Sequence, residues 1–81
     1  MFKRRLGIQP DSMGPTGSSG ASGCPDIWEL ENGNIAVIGI RGTATLKSSM
    51  PSTANCGIDE EIVILPRSVL LAAKKDIMGL Q

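Results

Sequence analysis

The 81-residue chain has few or none of the residues on which much of protein chemistry depends. It contains no histidine and no tyrosine, one phenylalanine, one tryptophan and two cysteines. Without histidine, the chain offers no Ser-His-Asp triad, no imidazole general base and no histidine ligand for zinc. Two cysteines cannot build the dense disulfide framework of a small secreted fold. The composition therefore predicts a protein that is not an enzyme, with no catalytic, cofactor-binding or metal-binding residues.

The chain also has no net charge, because eight Lys and Arg residues balance eight Asp and Glu residues. This zero is the sum of two unlike segments. Residues 1–23 are rich in Gly, Ser and Pro and carry a charge of +2, from three basic residues and one acidic residue. Residues 24–81 carry −2, from five basic and seven acidic residues, and hold most of the apolar side chains. We therefore predict a flexible basic tail over 1–23 and a small α+β domain over 24–81.

Long apolar runs are absent as well. The run at residues 62–65 is far too short to span a bilayer, and no apolar stretch follows the basic residues of the first five positions, as a signal peptide requires. The expectation is a cytoplasmic protein without membrane contact. There Cys24 and Cys56 are expected to be reduced, although a disulfide and an intermolecular metal or redox role stay open.

A β-hairpin is the clearest element in the sequence. Asn32-Gly33 separates two apolar segments, at residues 26–31 and 35–41, and this dipeptide is typical of a type I′ turn with positive φ at both positions. A two-residue loop pairs Leu30 with Ile35 and Trp28 with Val37. Both faces of the hairpin then carry apolar side chains, and those of the second face are Ile27, Ala36, Ile38 and Ile40.

The rest of the domain completes the predicted fold. A β-branched run at 61–65 predicts a buried third strand, and residues 43–50 predict a short helix ended by Pro51. Residues 66–78 predict a helix begun by Pro66, with the core stripe Val69, Leu70, Ala73 and Ile77. The predicted class is α+β, with a three-stranded antiparallel sheet made of the hairpin plus one strand, a C-terminal helix and a disordered N-terminal tail.

One glycine indicates a local irregularity. Gly39 lies inside the second predicted hairpin strand, where a glycine favours a bulge or a close approach of two backbones.

One helix can cover only one face of such a sheet, so the other apolar face needs a cover. Either the connector at 42–59 folds over it, or a second copy or another protein does. We expect a homodimer or partner interface. The candidate interface residues are Trp28, Ile38, Ile40, Leu71 and Met78.

A nucleic-acid interface is the alternative. Lys3, Arg4 and Arg5 on a flexible arm predict weak, salt-dependent contacts with phosphate that do not depend on base sequence. The simpler interpretation is a solubilising tail, so direct nucleic-acid binding is disfavoured.

Two blocks, at residues 23–39 and 62–74, resemble small uncharacterised actinobacterial regulator-associated proteins and, more distantly, the short BldB-like family. The outline is carried by Cys24, the Asn-Gly hairpin, Ala36-Val37 and Pro66. The family's members are dimeric regulators often encoded beside helix-turn-helix transcription factors. The resemblance implies a homodimeric, non-enzymatic role in transcription regulation, with such a DNA-binding regulator as partner.

Overall fold

The structure, a computed structural model, describes residues 1–8 and 25–80. Strands β1, β2 and β3 form an antiparallel sheet in that order, and β4 and β5 form a second, two-stranded antiparallel sheet. Three short helices and one 3₁₀ turn are the other elements among these residues. In sequence order the elements are β1 Phe2–Arg5, β2 Asp26–Leu30, β3 Ile35–Ile38, β4 Ile40–Arg41, α1 Thr43–Leu46, the 3₁₀ turn Lys47–Ser49, β5 Val63–Ile64, α2 Arg67–Ala72 and α3 Lys74–Met78.

The α+β class and the three-stranded antiparallel sheet are confirmed, but the third strand comes from elsewhere in the chain. It is β1, in the segment that the composition assigns to a flexible tail. Residues 61–65 contribute only the two-residue strand β5, which pairs with β4 and is about 40% exposed. The prediction of a buried third strand at 61–65 is therefore wrong. The other predicted tail residues, 9–24, lie outside the described residues.

The hairpin between β2 and β3 is present, but its predicted register is wrong by one residue. Trp28 lies opposite Ala36, not Val37. The reason is the loop, which has three residues: the Leu30 N–H donates to Asn34 O (2.8 Å) and the Gly33 N–H donates to Leu30 O (3.0 Å). Within this loop, Gly33 alone has a positive φ, of +90°, as in a type I turn followed by one left-handed residue.

The one-residue shift decides which side chains share a face. Asp26, Trp28, Ala36 and Ile38 point to one side of the sheet, and Ile27, Ile35 and Val37 point to the other. We name the first side the Trp28 face and the second the helix face, because Ile27 packs there against α2 and its C-terminal end.

The hydrophobic core lies between the helix face and the helices. It consists of Leu6, Ile27, Val69 and Ala73, with Leu65 and Leu80 packed against it. Leu6 directly follows β1 and is 2% exposed, so the N-terminal strand supplies one of the four core side chains. The N-terminal segment is thus part of the packed structure.

The C-terminal helix is present in two pieces. Residues 66–78 form α2 and α3, which meet at the fully buried Ala73. Of the predicted core stripe, Val69 and Ala73 are buried, whereas Leu70 is 51% and Ile77 is 37% exposed. The packing partner, a few residues of β2 and the segment after β1, is too small to cover the whole stripe.

The structure agrees with the predictions made for residues 43–50 and for Gly39. The predicted helix at 43–50 is confirmed as α1 and the 3₁₀ turn, which end before Pro51. At Gly39, between β3 and β4, a Cβ atom would lie 2.7 Å from Ile64 O, so the expected close backbone approach is confirmed.

Replacing Gly33 with alanine tests the three-residue loop. A Cβ at Gly33 meets no atom within 4 Å, so the cost of Gly33→Ala comes from its φ of +90° alone. We expect the free energy of unfolding to fall by about 1 kcal/mol, measured by urea denaturation with Trp28 fluorescence.

Gly79→Ala is the matched control. Gly79 has φ −87°, and its added Cβ would lie 3.5 Å from the nearest atom. The free energy of unfolding of Gly79→Ala should stay unchanged or rise by up to about 1 kcal/mol. Equal losses for the two variants would contradict the assigned turn.

Candidate interaction surface

The Trp28 face is organised around a buried carboxylate. Asp26 is 6% exposed and sits at the start of β2. Its oxygens accept hydrogen bonds from Arg5 Nε (3.0 Å to each oxygen), Trp28 Nε1 (2.8 Å) and the Ile27 N–H (3.1 Å). A buried carboxylate requires such partners, because burying an unpaired charge is very unfavourable. All three donors belong to β1 and β2, so Asp26 anchors these two strands to each other. A carboxylate engaged in this way does not have the surroundings of a general base.

Trp28 is held between a cation and a second aromatic ring. The Arg5 guanidinium carbon lies 4.4 Å from the centroid of the Trp28 ring. The rings of Phe2 and Trp28 are 5.2 Å apart between centroids and inclined by 54°, a favourable tilted arrangement. We name Phe2, Arg5, Asp26 and Trp28 the Trp28 cluster. The indole is thereby fixed on a surface where Phe2 stays 52% exposed.

Strand pairing of β1 with β2 brings together opposite charges. Besides Arg5 and Asp26, the Arg4 Nε donates to Glu29 Oε1 at 3.0 Å. The Met1 amino group lies 2.7 Å from Glu31 Oε1. Three cationic groups of the N-terminal segment thus face three carboxylates of β2 and its turn, so the basic and acidic halves of the chain are complementary.

A shallow depression lies beside the exposed ion pair. Its volume is about 450 Å³, and it is lined by Lys3, Arg4, Glu29, Gly79 and Leu80. Arg4 and Glu29, which both line the depression, pair with each other there.

The five predicted interface residues do not form one surface. Trp28 is half-buried in its cluster, and Ile38 lies on the same face, 46% exposed. Ile40 belongs to the second sheet. Leu71 and Met78 lie on the two helices that pack against the opposite face, and they are 60% and 77% exposed.

The predicted nucleic-acid residues are divided as well. Arg4 and Arg5 are engaged by Glu29 and Asp26, whereas Lys3 takes part in no ion pair among the described residues. The expectation of three free cations on an arm is therefore corrected, because each arginine lies across the strand pair from a carboxylate.

Other predicted or possible sites contribute little. Cys56 is partly buried with a free thiol, and Cys24 lies outside the described residues. Over residues 1–8 and 25–80, no three metal-ligating side chains lie close enough to hold an ion. No helix in that part of the chain has the length and apolar character needed to cross a membrane.

Sequence reasoning missed the roles of Phe2, Arg5 and Asp26. The signal in the sequence was charge complementarity between the basic run at 3–5 and the acidic residues at 26, 29 and 31, which lie in the first predicted hairpin strand. A strand rich in cations is expected to pair with one rich in carboxylates.

Removing the Asp26 carboxylate tests the anchor role. Asp26→Ala leaves Arg5 and the Trp28 N–H without their acceptor in a partly buried site. We expect the free energy of unfolding to fall by about 2–3 kcal/mol, measured by urea denaturation. Asp26→Asn keeps the shape of the side chain and one acceptor oxygen. Its free energy of unfolding should therefore lie between those of the wild type and of Asp26→Ala.

Glu29→Ala is the control for this experiment. It removes the other cross-strand pair, in which the Arg4 side chain is 48% exposed, and we expect a loss below about 1 kcal/mol. Equal effects at Asp26 and Glu29 would mean that Asp26 is not the anchor.

Comparisons with known proteins do not supply a function for this surface. No protein-family model matches the chain, and no curated protein or solved structure matches it. The resemblance to BldB-like proteins therefore stays a prediction.

Proposed function

We propose that this chain is a small, non-enzymatic protein-interaction module whose fold is completed by a second copy of itself. The observation that carries the proposal is the imbalance of its apolar surface. Among the described residues, four hydrophobic side chains are buried and fifteen large ones are exposed. A domain of this size is marginally stable on its own, and monomers rarely leave so much apolar surface in water.

The exposed side chains fall into separate groups, which favours more than one contact surface. One group lies on the first sheet, at Phe2, Ile35, Val37 and Ile38. A second group lies on the two-stranded sheet, at Ile40, Val63 and Ile64. A third lies on the helices, at Leu70, Leu71, Ile77 and Met78. One group can serve self-association while another stays available for a different protein.

A regulatory role is the part of the proposal that depends on the BldB-like resemblance. In it, the homodimer binds a helix-turn-helix transcription factor in the cytoplasm and changes that factor's activity. The helix group, on the side away from the Trp28 face, is the surface we assign to this second partner. Its apolar side chains are interspersed with Lys74 and Lys75, as at the rim of a polar interface.

Direct nucleic-acid binding is less well supported. Arg4 and Arg5 are already paired with carboxylates, so phosphate would have to displace Glu29 and Asp26. Counterion release by Lys3 alone gives little affinity.

Sedimentation velocity tests the proposed self-association. Over about 5–500 µM we expect the mass to rise from the 8.5 kDa of the single chain toward twice that value. Because apolar contacts drive it, the association should change little between about 0.05 and 0.5 M NaCl. A single 8.5 kDa species at every concentration would overturn the homodimer.

The proposed partner requires a separate readout. A tagged chain, expressed at its native level, should recover a helix-turn-helix protein, and Leu71→Asp with Met78→Asp should abolish the recovery while leaving the dimer intact. If the double variant recovers the partner as well as the wild type does, the partner does not bind the helices.

A further inference from the structure

The two outer edges of the three-stranded sheet differ sharply. The β1 edge carries Lys3, Arg4 and Arg5, which is one of the ways in which proteins protect an exposed strand. The β3 edge reads Ile-Ala-Val-Ile and has no charge and no proline. An unprotected apolar edge is a template for another strand, so β3 is the edge at which pairing is expected.

Hydrogen-bond alternation shows which groups of β3 are free. The bond from the Leu30 N–H to Asn34 O fixes the pattern, so that Asn34, Ala36 and Ile38 direct their backbone groups toward β2. Ile35 and Val37 therefore direct their N–H and C=O groups away from the sheet. Strand β3 pairs with β2 alone among the described residues, which leaves these four groups on an open edge.

We propose that two copies of the chain pair through β3, antiparallel, about a two-fold axis at Ala36. The proposal rests on the self-association proposed above and gives its geometry. Ile35 of each copy pairs with Val37 of the other, so the four free groups of each strand form four hydrogen bonds across the axis. The product is one six-stranded sheet, and its remaining edges are the two charged β1 strands, so this sheet does not grow beyond two copies.

Side-chain size fits an axis at Ala36. On the Trp28 face the two Ala36 side chains meet at the axis, where directly opposed Cβ atoms lie about 4.5–5.5 Å apart. On the helix face, Ile35 of one copy lies beside Val37 of the other. These side chains are 45% and 42% exposed in the single chain and become covered by each other.

The size of the contact sets its strength. A four-residue strand is about 14 Å long, and pairing it covers less than the roughly 800 Å² per partner of a standard stable complex. We therefore expect a dissociation constant in the range of about 1–100 µM, within reach of sedimentation velocity.

The first test is Val37→Pro. The Val37 N–H points away from β2, so proline removes a bond of the dimer without removing one of the β2–β3 pair, and its fixed φ is tolerated at an edge. We expect the dissociation constant to rise at least about tenfold. Far-UV circular dichroism and Trp28 fluorescence report whether the fold is retained.

Charge changes at the axis test the register independently of proline. Ala36→Glu and Ala36→Lys should each weaken the dimer about three- to tenfold, because each places two like charges beside each other at the axis. An equimolar mixture of the two variants should restore the wild-type dissociation constant, because opposite charges then meet at the axis. Arg67→Glu, a charge change on α2, is the control and should have no effect.

The outcomes separate this inference from the function on which it rests. A wild-type chain that stays monomeric overturns both. A wild-type dimer that survives Val37→Pro and both Ala36 variants unchanged overturns the β3 pairing and leaves the interaction module standing. Ala36 variants that weaken the dimer without rescue in their mixture overturn the register at Ala36, and assemblies larger than a dimer contradict the closed six-stranded sheet.

Discussion

The ion pairing between β1 and β2 is the constraint on which the rest of the structure depends. Arg5 reaches Asp26 at 3.0 Å and Arg4 reaches Glu29 at 3.0 Å, so a basic strand is held in place by an acidic one. The inner pair matters more, because its carboxylate is buried and also orients Trp28. Only with β1 docked does Leu6 enter the core, and the Gly7 N–H then reaches the Asp76 carboxylate at 2.7 Å.

Two features that follow from this docking set the limits of the single chain. The core, with Leu6 as its N-terminal contribution, seals one face of the sheet against the helices. The same three-stranded order leaves β3 as an uncharged outer strand and leaves apolar side chains exposed on both sheets and the helices. A chain that folds in this way leaves apolar surface exposed on both sheets and on the helices, and this exposure is the ground on which we propose an interaction module.

Local sequence signals predicted much of the fold, whereas contacts between distant segments did not follow from them. Asn32-Gly33 predicts the hairpin, and Pro51 predicts the end of the short helix before it. The register failed because the same dipeptide also fits a three-residue loop, and one residue exchanges the two faces. Strand β1 was missed since its neighbours are rich in Gly, Ser and Pro, and the pairing of Arg5 with Asp26 joins residues 21 apart. The sequence predicts one uncovered apolar face of the sheet, whereas the structure exposes apolar side chains on both sheets and on the helices.

Amide hydrogen exchange at Leu6 tests the central claim most directly. The Leu6 N–H donates to Ile27 O at 2.8 Å only when β1 is docked on β2. The account predicts exchange at least about 100-fold slower than in an unstructured peptide, comparable to that of the Ile77 N–H, which donates to Ala73 O in the helices. Exchange of the Leu6 amide at the unstructured rate, with Ile77 still protected, would show a free N-terminal arm and contradict the account.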